Sequence, residues 1–286
     1  MALKYLHKKR LFHAVNKYKL FDKDWYSLTY ADVANTKIDP YQHYYKYGVY
    51  ENRNPHPLFS SQYYLDIYAD VRDAGLHPLY HYIFFGGAEG RSPHPLVAPE
   101  WISQKLGQSM PRGNALLGLL TSTENIGPRP LFDIDHMRVA QNLPVSTAAR
   151  TVLSTYFRTP PALRVTPNAL FNDEFVRQQA NLPNSADAVT AYVHGHATGV
   201  QPHPLFDGGH VQKKHKSKPA RPAELTWLDM ALMDPDPGTV ETSSLFDIKF
   251  YQSQNGYTPD RIEIPLFHYL RDGWKKGLDP NPWFDG

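Results

Sequence analysis

A phenylalanine followed by a small capping residue returns along this chain every 35 to 40 residues, and that period constrains the fold more than any other feature. The anchors are Phe21, Phe59, Val97, Phe132, Phe171, Phe206 and Phe246, and Phe284 stands where an eighth repeat would open. Self-similarity at such a period marks a repeat array, in which each segment buries its apolar face only against its neighbours. The chain therefore reads as all-α. Seven small two-helix repeats over residues 21–286, joined by Pro-rich extended straps, follow a basic amphipathic leader over residues 1–20. Phe284-Asp285-Gly286 leads to the expectation that the natural protein continues.

Each repeat has a physical grammar. Asp22, Ser60, Asp133, Asn172, Asp207 and Asp247 follow their anchors and are N-cap residue types, whose oxygens accept the free N–H groups of a first helical turn. Four positions later Tyr26, Tyr64, Met137, Val176 and Tyr251 complete a hydrophobic staple with the anchor. Gly75 is expected to end the first helix of the second repeat. A shorter second helix starts at Pro40, Pro78 and Pro265 and is expected to end at Gly48, Gly86 and Gly273. The exits NPHPLF, SPHPLV, QPHPLF and DPNPWF read as extended straps carrying His56, His94 and His203. The third repeat has Ala98 in place of the cap. The sixth has HVQKKHKSKPAR where its first helix should lie, so an exposed loop is expected over residues 208–223.

Composition narrows the function classes. The chain has 286 residues, no cysteine, and 30 basic against 28 acidic side chains, a net charge of +2. Disulfides, thiolate metal sites and cysteine nucleophiles are excluded. The near-neutral balance disfavours nucleic acid as a partner. No apolar run reaches the length of a membrane span.

The segment FSSQYYLDIYADVRDAGLHPLYHYIFFGGAEGRSPHPLV resembles a repeat of bacterial polysaccharide-biosynthesis proteins, where it commonly lies beside glycosyltransferase domains. Similar repeats occur in some large surface proteins. The likeness covers most of the chain but is specific in the first, second and seventh repeats. The seventh departs at Lys276 and Leu278, where the second has Glu89 and Arg91. The resemblance implies a sugar-transferring domain as partner, in the same chain or complex, and a cytoplasmic setting, in one version peripheral to the inner membrane. It supplies no catalytic residue here. The function expected is a non-catalytic region that positions or assembles the enzyme, or alternatively a module that grips the polysaccharide. A free-standing enzyme would instead show one pocket of convergent titratable groups not repeated elsewhere.

His43, His81 and His268 share one slot in three repeats, which points to a structural hydrogen bond to the adjacent strap or repeat. Glu51 with Arg53, and Glu89 with Arg91, form acid-x-base pairs after the second helix and read as structural. His194, His196 and His203 lack the further ligand zinc wants, so no metal and no cofactor are expected. Asp133-Ile134-Asp135 and Asp234-Pro235-Asp236 lie in the wrong context for a nucleotide-sugar motif. Tyr5, Tyr47, Tyr50 and Trp274 are the aromatics expected to be exposed and able to stack a sugar ring. The run Lys213, Lys214, Lys216, Lys218 and Arg221 is a candidate polyanion contact, with a solvated insertion as the plainer reading. Lys4, Lys8, Lys9, Arg10, Lys17 and Lys19 give the leader a basic face. It is suited to an anionic membrane surface if its apolar face is free, or to packing on the first repeat if it is not.

Overall fold

The computed structural model describes residues 5–195, 198–214, 224–258 and 263–284. Every element among them is helical and none is a strand. The chain divides into two compact bodies, one running to Arg129 and including Ser146–Pro160, the other comprising Pro130–Val145 and the chain from Pro161 onward.

The first body opens with α1 (Tyr5–Lys17), then α2 (Lys23–Thr29), α3 (Ala31–Ala34) and α4 (Pro40–His43). The second repeat follows the same plan with α5 (Ser61–Ile67), α6 (Ala69–Asp73) and α7 (Pro78–His81). The third supplies α8 (Pro99–Leu106) and α9 (Ala115–Thr121). The fourth is divided, with α10 (Ile134–Ala140) in the second body and α11 (Ala149–Arg158) in the first. The second body continues with α12 (Asp173–Gln179), α13 (Ala188–Gly195), α14 (Gly208–Lys214), α15 (Trp227–Leu232), α16 (Ile248–Ser253) and α17 (Pro265–His268).

The capping grammar is realised atom by atom. Side chains of Asp22, Ser60, Asp133, Asn172 and Asp247 accept the N–H of the third residue onward at 2.9–3.2 Å. Asp207 accepts from Gly209 and His210, and Ala98 provides no side-chain cap. Tyr26, Tyr64, Met137, Val176 and Tyr251 are fully buried. A side chain of that size, taken wholly out of water, contributes about 1.5–3 kcal/mol.

One backbone hydrogen bond recurs at all seven anchors. The N–H of Asp22, Ser60, Ala98, Asp133, Asn172, Asp207 and Asp247 donates to the carbonyl of Pro55, Pro93, Pro128, Pro167, Pro202, Thr242 and Pro280 respectively, at 2.7–3.0 Å. Each exit is thereby tied back to the start of its own repeat.

Four expectations are corrected. The exits are tight turns, not extended straps. The N–H of Phe59, Val97, Phe171 and Phe206 reaches the carbonyl three residues earlier, and His56, His94 and His203 accept the N–H of Leu58, Leu96 and Leu205 at 3.0–3.1 Å. Proline fixes a φ that serves a turn as well as an extended chain, so its presence did not decide between them. The first helix of the first two repeats is broken in two, at Tyr30 and Tyr68, both with non-helical backbone. Gly48, Gly86 and Gly273 are not caps lying past the helix end; each is the last residue of a wider π-turn, Tyr44–Gly48, Tyr82–Gly86 and Tyr269–Gly273. Finally, the sixth repeat does form its first helix, over Gly208–Lys214, while residues 215–223 lie outside the described ones.

Candidate functional site

The recurring histidines are explained by a three-residue lock. The hydroxyls of Tyr26, Tyr64 and Tyr251 lie 3.2, 3.0 and 2.6 Å from Nδ1 of His43, His81 and His268. The partner is thus a tyrosine of the same repeat, not a strap or a neighbouring repeat. Glycine five residues beyond each histidine leaves room for the hydroxyl. A Cβ on Gly48, Gly86 or Gly273 would lie 2.4, 2.0 or 2.1 Å from it. The π-turn brings residue i+5 over residue i, so histidine and glycine face the same tyrosine. Burial pushes all three tyrosines above the usual phenol range and pushes His81 and His268 down.

The acid-x-base pairs form a second lock. Arg53 donates Nε to Glu51 at 2.6 Å and both terminal nitrogens to Asp32 at 2.9 and 2.7 Å. Arg91 does the same with Glu89 and Asp70. Each guanidinium lies 4.8 Å from a tyrosine ring centre, Tyr30 or Tyr68, whose hydroxyl accepts the N–H of Asn54 or Ser92 at 2.8 Å. Both arginines are therefore committed to their own repeat.

A cleft of about 540 Å³ in the first body sets Ser154 and Arg158, which do not recur, beside the recurring Asp22 and His56. Its floor is apolar, with Leu58, Leu119, Leu120 and Leu153 almost fully buried. Arg158 donates Nε and Nη2 to Asp22 Oδ1 at 3.2 and 2.8 Å, and its Nη1 lies 2.8 Å from Asp24. Ser154 donates its hydroxyl to Asp22 Oδ2 at 3.2 Å. Burial raises the Asp22 carboxyl, but the Trp25 N–H and the Arg158 guanidinium outweigh it, and the group sits below its ordinary value. His56 is pushed down to about 4, by burial first. At neutral pH it is uncharged, and since Nδ1 accepts from Leu58 its proton sits on Nε2. Ser154 donates a hydrogen bond to an aspartate already paired with arginine, and His56 has its Nε2–H as donor. This arrangement ties α11 to α2; an aspartate held below its ordinary value by a guanidinium is a poor base for activating the serine. Sequence reasoning missed it, because Asp22 and Arg158 are 136 residues apart and nothing local marks either for the other.

Other candidates fall as follows. Leu11 and Val15 are 0% exposed, so the apolar face of α1 is covered by the first body and is not free for a membrane. Of the basic leader residues, Lys4 lies outside the described ones, and Lys8 donates to the Tyr50 hydroxyl at 3.1 Å. Lys9, Arg10, Lys17 and Lys19 are exposed. In the basic run, Lys214 pairs with Glu241 at 2.8 Å and Lys213 is exposed at the end of α14. Lys216, Lys218 and Arg221 lie outside the described residues. No group of three metal-ligating side chains occurs among the described residues; His196 is outside them and His203 is engaged in its turn. Asp133 is an N-cap and Asp135 pairs with Arg138, while Asp234 accepts the N–H of Asp236. Tyr47, Tyr50 and Trp274 are exposed, and the side chain of Tyr5 is outside the description. Phe85, at the position matching Tyr47, is exposed too, whereas the seventh repeat has Asp272 there. No described helix is long and apolar enough to cross a membrane. Comparison with protein-family models, with characterised proteins and with solved structures finds no match to this chain.

Proposed function

We propose that the chain is a non-catalytic array of seven helical repeats that positions a sugar-transferring domain of bacterial polysaccharide synthesis, on the cytoplasmic side of the membrane. The observation that carries this reading is the single hydrogen bond from cap to exit made at all seven anchors, from Asp22 to Asp247. It supports a module copied in tandem, and such arrays present extended surfaces at fixed spacing. The polar groups that recur are used inside each repeat, as the Tyr64–His81 and Arg91–Asp70 locks illustrate. Removing the coding segment from the native genome should lower cell-bound polysaccharide, while the purified chain should not turn over nucleotide sugars. Unchanged polysaccharide would reject the positioning role, and nucleotide-sugar turnover would reject the non-catalytic one.

A second reading, contact with the polymer itself, is favoured by Tyr47 and Phe85. They are 48% and 52% exposed at matching positions of adjacent repeats. Heat on titrating oligosaccharides, lost in a Tyr47→Ala, Phe85→Ala variant, would support it.

A further inference from the structure

The exposed side of α1 forms one wall of a second cleft, of about 380 Å³, whose charged side chains are all basic. Lys9, Arg10, His13 and Lys17 line it from the helix. Arg112 enters from the turn before α9, and Phe84 from the π-turn Tyr82–Gly86. No carboxylate is among the lining residues. The guanidinium carbons of Arg10 and Arg112 lie 5.0 and 5.1 Å from the centre of the same Phe84 ring. Two cations gathered on one ring repel each other, and the ring relieves only part of that. Arg112 holds this position from a left-handed backbone, φ 57°, which a residue with a side chain adopts at a cost. Three other arginines of the first body, Arg53, Arg91 and Arg158, are matched to acid. Here Arg10, His13, Lys17 and Arg112 enter no ion pair among the described residues.

We infer that this cleft binds a diphosphate group. Guanidinium forks match phosphoryl oxygens, and a concave cationic wall concentrates a multivalent anion. From Lys9 to Lys17 the helix rises about 12 Å, more than one phosphoryl group spans. Nucleic acid fits less well, because both aromatic rings of the cleft are already engaged, Phe84 by two guanidiniums and Tyr18 by burial. The inference stands apart from the repeat-scaffold reading, since it uses only side chains that do not recur.

The test is calorimetric titration of the full chain with inorganic pyrophosphate at fixed ionic strength. Pyrophosphate should bind at least tenfold more tightly than orthophosphate. An Arg10→Ala, Arg112→Ala variant should weaken it at least tenfold; both side chains are exposed, and circular dichroism verifies the fold. A Lys105→Ala, Lys275→Ala variant, which removes the same charge elsewhere, should bind within twofold of the parent. Displacement of pyrophosphate by vesicles containing phosphatidic acid, but not by phosphatidylcholine vesicles, supports the cleft with a lipid-borne phosphate as ligand. Lack of displacement supports it with a soluble diphosphate. Absence of heat at millimolar pyrophosphate, equal weakening in both double variants, or binding of single-stranded DNA without binding of pyrophosphate would each overturn the inference.

Discussion

The hydroxyl of Tyr64 lies 3.0 Å from His81 Nδ1 and 2.0 Å from the point that a Cβ on Gly86 would occupy, so one oxygen dictates two residues of the following helix. The same holds for Tyr26 with His43 and Gly48, and for Tyr251 with His268 and Gly273. Gly86→Ala should therefore cost about 2–3 kcal/mol by overpacking a site that cannot give way. Tyr64→Phe should cost about 1–3 kcal/mol by leaving His81 without its partner. Combined, they should cost clearly less than the two added, because the phenylalanine ring frees the space the new methyl needs. Urea unfolding of the three variants reads this out, and additive losses would show that hydroxyl and glycine are unconnected.

The exit turns make a pH prediction. His56 and His203 are held at about 4 in the folded chain, chiefly by burial, against an ordinary value near 6.5. Their stabilising contribution is complete above about pH 6.5 and fades as pH falls through 4, because the unfolded chain takes the proton first. Each accounts for about 1–3 kcal/mol at the acid end of that window. Asn168 and Asn281 do the same turn-forming work, accepting the N–H two residues on at 2.9 Å, without titrating. A His56→Asn, His203→Asn variant should match the parent at pH 7.5 and lose less stability by pH 4.5. Thermal melting at the two pH values measures it, and parallel curves would contradict the assignment.

Short-range chemistry was legible in the sequence. Asp22 and Tyr26, four residues apart, declare a cap and a staple because both act within one helical turn. The recurring slot of His43, His81 and His268 was visible as structural, but its partner was not. A π-turn is needed to bring histidine and glycine to one side, and no sequence period announces a π-turn. Arg53 and Arg91 show in the sequence only their near carboxylates, Glu51 and Glu89. The bidentate partners Asp32 and Asp70 lie 21 residues back and meet them only because the first helix breaks at Tyr30 and Tyr68. The phosphate-type cleft was half visible. The leader's basic face stood out, whereas Arg112 carries no local sign of its destination.

Closure of the first body through Arg158 is separately testable. Asp22 is deeply placed, with 8% of its side chain exposed, while Arg158 is 38% exposed and partly screened by water. Arg158→Ala should cost about 1 kcal/mol. The loss should fall on α2 and α11, which the pair joins. Amide hydrogen exchange should quicken in Lys23–Thr29 and Ala149–Arg158 and stay unchanged in α12 to α17. Unchanged protection of α11 would mean that its apolar contacts alone hold it.

The leader offers the sharpest contrast between two readings of one helix. If α1 served chiefly as a membrane foot, truncating its apolar side chains would alter vesicle binding and leave stability in water intact. Leu11 and Val15 are instead 0% exposed, with Phe12 at 5% and its ring against Tyr41, Tyr44 and Tyr45. Deleting a buried leucine removes its transfer energy and leaves a cavity its neighbours fill only in part. Leu11→Ala should therefore destabilise the first body by about 3 kcal/mol with no vesicle present. His13→Ala, an exposed position on the same helix, should change stability by less than about 0.5 kcal/mol. Equal and small effects of the two substitutions would return α1 to the role of a solvent-exposed leader.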